Sequence, residues 1–389
     1  MKRKTGIYEI TSVAGENVKA FIPHELPPCS PKIKITGGLA SLLQAAETNI
    51  ARLEAAGQIV PSLDWFVYAF VRKEAVISSQ IEGTQASLVD LLELEADATT
   101  EAPPEHVEEI CNYLEALKYA RKQLQKKGGL PLSTRLFNGS HKRLMSGTRG
   151  QHKQPGLLRR SQNWIGGTRP GNASFVPPAP HHLSKLLGHL EKYLNSNDSL
   201  PPLIKAGLVH AQFETIHPYL DGNGRLGRLL ITLCLEEWGL LSEPMLYLSL
   251  FFKRHREEYY KRLSAIRTDG DWEGWLAYFL EGVAVVSDES VRLVAALFET
   301  LSRDRIRYLE SGTATVVGAR LFESLPQNPI VTVKSAVRIC STTRPTAAKA
   351  INSLVDSGVL TETSGRSRDR AYSYGKYLKH LREGTEIIR

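Results

Sequence analysis

The sequence predicts a mainly α protein with a small C-terminal α+β domain, and three observations lead there. Apolar residues recur at helical spacing through most of the first three hundred positions. Glycine and proline stops separate these stretches. After Thr313 the pattern turns to short helices followed by two β-like stretches around a charged turn. The 389 residues are enough for about two or three domains. Hydrophobic residues make up 42% and charged residues 23%, which excludes wholesale disorder and collagen-like repeats. The net charge of +8 permits an anionic partner without requiring one. Cys29, Cys111, Cys234 and Cys340 lie far apart with no CxxC pair. That excludes a cysteine zinc knuckle and a disulfide scaffold, and it suits a reducing compartment. The basic start Met1-Lys2-Arg3-Lys4-Thr5-Gly6 lacks the apolar run of a signal peptide, and Glu236 and Glu237 interrupt the best membrane-span candidate. The expectation is a soluble, cytoplasmic chain with no membrane partner.

Residues 1–35 combine short alternating stretches with Pro23, Pro27, Pro28 and Pro31 and read as an irregular lead-in. Leu39, Leu42, Leu43, Ala46 and Ile50 mark a first helix, and Trp65, Val67, Phe70, Val71 and Val76 a second. After a break at Thr99–Pro104, Ile110, Leu114, Leu117, Ala120 and Leu124 mark another helix, which Gly128-Gly129 ends. Ser161–Ile165 and Ser174–Val176, around the glycine- and proline-rich loop Gly166–Pro180, suggest a hairpin. Leu203–Ile216 and Leu226–Leu241 read as two buried helices flanking a polar turn, and helical patterns continue through Leu263–Phe279 and Val283–Tyr308. In the tail, helices near Val317–Ser324, Val333–Ile339 and Pro345–Ser357 precede a two-stranded hairpin, Val359–Thr363 and Ala371–Tyr374, with Ser364–Arg370 at its tip. That is the order of a winged helix.

The chemistry concentrates in His217-Pro218-Tyr219-Leu220-Asp221-Gly222-Asn223-Gly224-Arg225-Leu226-Gly227-Arg228. Gly222 and Gly224 free the backbone to turn and to approach a ligand closely. A helix starting near Gly224 aims its unpaired N–H groups and positive dipole end at that turn, which makes a phosphate site. Arg225 and Arg228 add two cationic forks suited to phosphate oxygens. Cations oppose the dipole at a helix N-terminus, so an anion explains them better than helix stability does. Asp221 supplies a hard oxygen of the kind Mg²⁺ needs beside a nucleotide. His217, with an ordinary imidazole pKa of about 6.5, suits a general base for a hydroxyl nucleophile. Gly222, Gly224 and Gly227 also spell GxGxxG, but a dinucleotide fold needs a strand before them and the sequence reads as helix there.

This segment resembles the signature of the Fic (filamentation induced by cAMP) family, H-x-F-x-D/E-G-N-G-R-x-x-R, with Tyr219 in place of Phe. The resemblance runs from about Pro131 to Arg267. It implies a Fic-fold helical bundle with a β-hairpin flap, and a protein adenylyltransferase that moves AMP from ATP to a Ser, Thr or Tyr hydroxyl of a target protein. His217 would deprotonate the hydroxyl and Asp221 would hold Mg²⁺ against the α- and β-phosphates. Gly222, Asn223 and Gly224 would cradle the phosphates, with Arg225 on the β-phosphate region, Arg228 on the γ-phosphate, and Leu226 and Gly227 completing the nucleotide-binding segment. Asp221, Gly222 and Gly224 differ from the Asn-Ala-Asn-Lys-Arg variant of the family's kinase-like branch.

Upstream, Ser78-Ser79-Gln80-Ile81-Glu82-Gly83 resembles the family's inhibitory pattern S/T-x-x-x-E-G/N. It implies that Glu82, aligned with Ser78 on one helix face, pairs with Arg228 and blocks productive γ-phosphate placement, with Gly83 closing the motif. The loop 166–180 resembles the flap that holds a target segment by strand addition. Pro155–Arg159 and Trp164–Gly167 stand where the family has such residues. Tyr247–Ser249 and Glu258–Tyr260 stand where it places adenine-pocket residues. Tyr260 is the preferred candidate and Tyr259 the alternative, because adjacent helical side chains point about 100° apart.

The tail supports a competing class, a winged-helix DNA-binding regulator. Arg344, Lys349, Arg366, Arg368 and Arg370 would meet phosphates within 344–370. The recognition-helix candidate Pro345–Ser357 is mostly Ala, Ile, Leu and Val, which suits base edges poorly. The resulting division is an N-terminal helical region with the inhibitory motif (1–115), a catalytic domain (116–270), connecting helices (271–310) and a winged-helix domain (311–389). Self-AMPylation and a homodimer are compatible with it.

Overall fold

The computed structural model describes residues 3–60, 62–147, 150–366 and 369–387. Met1, Lys2, Ser367 and Arg368 of the stretches singled out above lie outside them. The elements in chain order are strands β1 (Gly6–Val13) and β2 (Glu16–Pro23), then helices α1 (Gly38–Ile59), α2 (Leu63–Ile81), α3 (Leu88–Glu95), α4 (Pro104–Gln125) and α5 (Thr134–Leu144). Next come α6 (Leu183–Leu194), α7 (Pro202–Ile216), α8 (Asn223–Glu237), α9 (Ser249–Arg254), α10 (Arg256–Asp269) and α11 (Trp272–Glu310). The tail holds α12 (Val316–Ser324), β3 (Ile330–Thr332), α13 (Val333–Cys340), α14 (Arg344–Asp356), β4 (Thr361–Glu362), β5 (Ala371–Ser373) and α15 (Gly375–Leu381). The chain is mainly helical with small antiparallel sheets. It divides into two compact units, Met1–Ala51 with Asn112–Ser287, and Arg52–Cys111 with Asp288–Arg389.

In the first unit, α7 is the central helix. Leu203, Ile204, Leu208, Val209, Phe213 and Ile216 are buried, and apolar residues face every side of it. Gly207 allows α11 to pack closely, since a Cβ there would meet Leu276 at 2.9 Å; the Trp275 indole N–H donates to the Gly207 carbonyl at 2.9 Å. Helix α8 packs against α7 and α5. The N-terminal lead-in is not irregular: β1 and β2 form an eight-residue antiparallel hairpin in register Gly6↔Pro23 to Val13↔Glu16. Ala14 (φ 51°) and Gly15 (φ 83°) make its two-residue turn. The expected helix Leu263–Phe279 is interrupted, because Gly270 at φ 72° caps α10 and α11 starts afresh at Trp272. Helix α8 ends at Glu237 rather than Leu241, with Gly239 at φ 70° just beyond. The 166–180 loop is held by a single antiparallel bridge, Ile165↔Phe175 (2.8 and 3.1 Å), not a full ladder. Gly166 and Gly167, both at positive φ, and the 3₁₀ turn Pro170–Asn172 curl the intervening chain away from strand geometry. Its return segment pairs with the hairpin through Phe21 N–H to Val176 O at 3.0 Å, and Arg169 meets Glu16 at 2.7 Å.

In the second unit, α2 ends in a Schellman turn: Gly83 N–H reaches Gln80 O at 3.0 Å and Thr84 N–H reaches Ser79 O at 3.2 Å. Ser87 and Asp90 then cap α3 reciprocally. The tail sheet has three strands in the order β3-β5-β4, all antiparallel, where two were expected. Strand β3 escaped the reading because three residues carry no period, and α15 was also missed. Thr332 Oγ1 donates to Ala96 O at 3.1 Å and Arg338 pairs with Asp97 at 3.1 Å, so the tail and the α2–α3 segment pack within this unit.

Candidate active site

Helix α7 ends at His217, which sits in the left-handed region (φ 49°, ψ 61°). A non-glycine residue held there costs about 1–3 kcal/mol, so the surroundings must impose it. The His217 N–H donates to Phe213 O at 3.0 Å, and its carbonyl accepts Arg159 Nε–H at 2.9 Å. Arg159 is buried and satisfies carbonyls only: His217, Ser161 (3.3 Å) and Pro178, while its own N–H reaches Pro218 O at 3.0 Å. Burial lowers its pKa to about 10, which leaves the guanidinium charged at neutral pH. One cation therefore ties the His217 turn to both stems of the 166–180 loop.

After Pro218 the turn is clamped from inside. The Asn223 side chain accepts the Tyr219 N–H at 2.9 Å and donates to the Tyr219 carbonyl at 2.9 Å. Asn223 is buried, so its amide shapes the turn and only its backbone can serve a ligand. The Tyr219 ring is fully buried, stacks on His141 at 3.8 Å, and donates its hydroxyl to Asn138 Oδ1 at 2.7 Å. Phe would make the same plug without that bond. Gly222, at φ 75°, is the N-cap of α8, and a Cβ there would meet Met145 Sδ at 2.6 Å. Gly224 lies in the first turn of α8, where backbone N–H groups lack partners within the helix. Gly227 lets Glu214 approach: a Cβ would lie 2.3 Å from its Oε1. Leu226 is buried in the core, so its side chain faces away from any ligand.

Arg225 and Arg228 are buried at 5% and 2% exposure, guanidiniums and all. Arg225 Nη2 lies 3.9 Å from Asp221 Oδ1. The Asp221 side chain is half exposed, and Oδ1 accepts the Gly222 N–H at 2.6 Å. Its second carboxylate oxygen has no partner among the described residues, a donor set that fits a hard cation such as Mg²⁺. The structure thus brings His217, Asp221, Gly222, Asn223, Gly224, Arg225, Leu226, Gly227 and Arg228 to one turn and helix head. Tyr260 is 41% exposed with the Arg256 guanidinium over its ring, whereas Tyr259 is buried and its hydroxyl meets His210 Nε2 at 2.8 Å. Tyr247 and Ser249 are buried core residues. Ser78, Glu82 and Gly83 belong to the second unit: Ser78 is buried in α2, Glu82 is its exposed C-cap, and Gly83 follows at φ 94°.

His141 was not singled out in the sequence. Its Nδ1 accepts the Gly156 N–H at 2.8 Å, so Nε2 carries the proton donated to Asp221 O at 3.0 Å. No linear motif announces it; only its spacing from Asn138 on α5 hints at a shared face. Burial lowers its pKa from 6.5 to about 4, with the Arg225 charge adding to the effect. The folded value lies below the unfolded one, so the stability contributed by neutral His141 is complete above about pH 6.5 and is lost as pH falls toward 4. Urea midpoints across that window should fall more steeply for the wild type than for His141→Gln, by up to about 1.4 kcal/mol per pH unit. Parallel slopes would remove His141 from the acid response.

Residues 40–122 match the family described as Fic/DOC family N-terminal, and residues 131–235 match the Fic/DOC family itself. Over 212 residues the chain is 32% identical to the protein adenylyltransferase Fic of Aedes aegypti, covering 51% of this chain and 38% of that protein. Over 209 residues it is 30% identical to a probable protein adenylyltransferase of Aquifex aeolicus, covering 53% of this chain and 57% of that one. The match therefore spans less than two thirds of these curated relatives. Among solved structures, a Fic family protein from Desulfovibrio desulfuricans G20 aligns over 88% of this chain and 97% of its own, with TM-score 0.57 and 20% identity. A Fic domain containing signaling protein from Bacteroides thetaiotaomicron aligns over 66% of this chain and 97% of its own, with TM-score 0.53 and 18% identity. These two likenesses bear on the fold alone. With the glycine bend, the two arginines and the histidine turn all in place, residues 131–235 form a Fic/DOC family domain, preceded at 40–122 by the family's N-terminal region.

Proposed function

We propose that this chain is a protein adenylyltransferase that uses ATP and Mg²⁺. The observation that carries the reading is a helix head with two buried guanidiniums and a backbone-strained histidine on the turn before it. His217 takes the proton of a target Ser, Thr or Tyr hydroxyl. The oxygen then bonds to the α-phosphorus of ATP, the bond from that phosphorus to the β-bridging oxygen breaks, and pyrophosphate leaves. Arg225 and Arg228, with the first N–H groups of α8, bind the triphosphate and stabilise the charge that moves onto pyrophosphate. Asp221 holds Mg²⁺, which would neutralise phosphate charge when bound. Gly222 and Gly224 admit the phosphates to the backbone, and Leu226 and Gly227 seat the helix. Tyr260 is the candidate for contact with adenine.

The target segment docks along the 166–180 loop, whose backbone groups near the Ile165–Phe175 bridge offer strand addition. Ser78, Glu82 and Gly83 act as a brake in which the Glu82 carboxylate competes with the γ-phosphate for Arg228. The partition into 1–115, 116–270, 271–310 and 311–389 accompanies this reading, as do self-AMPylation, a homodimer and a cytoplasmic setting. No described helix is long and apolar enough to cross a membrane.

The three-stranded tail sheet behind α12, α13 and α14 supports a winged helix. Two of its positive residues are held by contacts within the unit, while Arg344 and Lys349 are exposed. Arg366 Nη1 donates to Thr99 Oγ1 at 2.6 Å, and Arg370 Nε donates to Arg366 O at 2.9 Å, so both are engaged within the unit. ATP labelled in the α-phosphate should mark protein, while ATP labelled in the γ-phosphate should not. Transfer of the γ label, or salt-sensitive sequence-selective DNA retention without nucleotide turnover, would replace this reading.

A further inference from the structure

A second cluster of ligating side chains shares no residue with the signature. It joins β1 to the end of the 166–180 loop, within the first unit. Pro180 fixes the start of the 3₁₀ turn Pro180–His182, which leads directly into α6 and presents two consecutive imidazoles. His182 Nε2 lies 2.8 Å from Glu9 Oε2, and His181 Nε2 lies 3.9 Å from Glu9 Oε1. The imidazole centroids are 4.0 Å apart, and the three ligand atoms all fall within 4.8 Å of one another. Glu9 and His182 are 173 positions apart in the chain, so the convergence is tertiary and not a by-product of local sequence.

We propose that Glu9, His181 and His182 form a binding site for a divalent transition ion of the Zn²⁺ type. Two imidazole nitrogens and one carboxylate are a donor set that zinc uses when it keeps a fourth position open. Zinc bonds of about 2.0–2.1 Å require tetrahedral donors roughly 3.3–3.5 Å apart. His182 and His181 approach different oxygens of Glu9, at 2.8 and 3.9 Å, and one ligand atom from each residue lies within 4.8 Å of the others, so rotation of the Glu9 carboxylate and the exposed His181 ring brings them to that spacing. Imidazole is a poor partner for Mg²⁺ or Ca²⁺, which sets the site apart in chemistry from the Asp221 oxygen. His181 is 66% exposed and His182 27%, so an ion and its water have a path in. Hairpin and loop already meet through Arg169–Glu16 and the Phe21–Val176 hydrogen bond. The ion adds a third tie at the foot of the segment assigned to target docking, and binding to the folded state alone raises its stability.

Equilibrium dialysis of the full chain against tens of micromolar Zn²⁺, with Mg²⁺ in millimolar excess, should give one bound equivalent and a higher melting temperature. The double substitution His181→Ala and His182→Ala should weaken binding by about 10- to 100-fold or more and abolish the thermal gain. Glu9→Gln, which keeps an acceptor for His182 and so tests the ligand without loosening the fold, should weaken it as well. Co²⁺ in place of zinc should give the visible bands of a tetrahedral nitrogen and oxygen site with no sulfur charge-transfer band, separating it from the exposed Cys29. Absence of stoichiometric Zn²⁺, retention of it in the histidine double variant, or a sulfur band would overturn the assignment.

Discussion

His217→Ala should lower AMP transfer by about 10²- to 10⁴-fold, the usual worth of a positioned general base, while leaving ATP affinity nearly unchanged. The separation follows from the construction of the turn. The backbone of His217 is fixed by Phe213 and Arg159, neither of which touches the imidazole through these bonds, so removing the ring does not release the chain. Alanine tolerates φ 49° less well than histidine, so a modest fall in melting temperature should accompany the loss of transfer. The phosphate-binding residues lie on the far side of Asp221 and on α8, so they should still hold nucleotide. Incorporation of α-labelled AMP and nucleotide binding would be measured on the same preparation. Transfer at the wild-type rate would assign the base to another group; equal loss of binding and transfer would make His217 a positioning residue for ATP.

Glu82→Gly should raise self- or target-labelling by about 10- to 100-fold, the value of losing one charged hydrogen bond of roughly 1.5–3 kcal/mol. Glu82 and Arg225 share an anomaly that motivates this. A carboxylate at the C-terminal tip of α2 opposes that helix's dipole, as the Arg225 guanidinium in the first turn of α8 opposes its own. Each placement is unfavourable for its own helix, which points to a role other than helix stability. Gly83 closes α2 in a left-handed turn, so Glu82 is held at the helix end whether or not nucleotide is present. Glu82→Gln, which keeps size and loses charge, should give an intermediate rate, and adding His217→Ala should return the gain to background. Unchanged or lower labelling in Glu82→Gly would show that residues 78–83 are no brake.

Much of the helical layout was legible because apolar spacing and glycine stops reflect local physics. The bend at Gly222 could be read the same way: positive φ leaves a glycine mark, and Arg225 and Arg228 stand out against the helix dipole. What escaped was set by tertiary contacts. The β1–β2 hairpin hid because Ile7, Tyr8 and Ile10 are exposed, so alternation is blurred, and because its turn puts Ala14 at positive φ, where sequence rules expect Asn or Gly. Leu263–Phe279 read as one helix because apolar residues continue past Gly270, whose left-handed cap outweighs the period. The 161–176 segment carried strand-like residues, yet its glycines allow one bridge only. Asn223 looked like a phosphate ligand; its amide proves to be the clamp on Tyr219. Arg159 and His141 stabilise the signature turn from 58 and 80 positions away, a distance at which no spacing rule operates.

The most direct test is a crystal structure of the Glu82→Gly protein with Mg²⁺ and a non-hydrolysable ATP analogue. The account predicts a triphosphate seated on the first N–H groups of α8 between Arg225 and Arg228, with the α-phosphorus facing the His217 imidazole and the metal on Asp221. Nucleotide bound elsewhere with the helix head bare, or an imidazole turned away from the phosphorus, would contradict it.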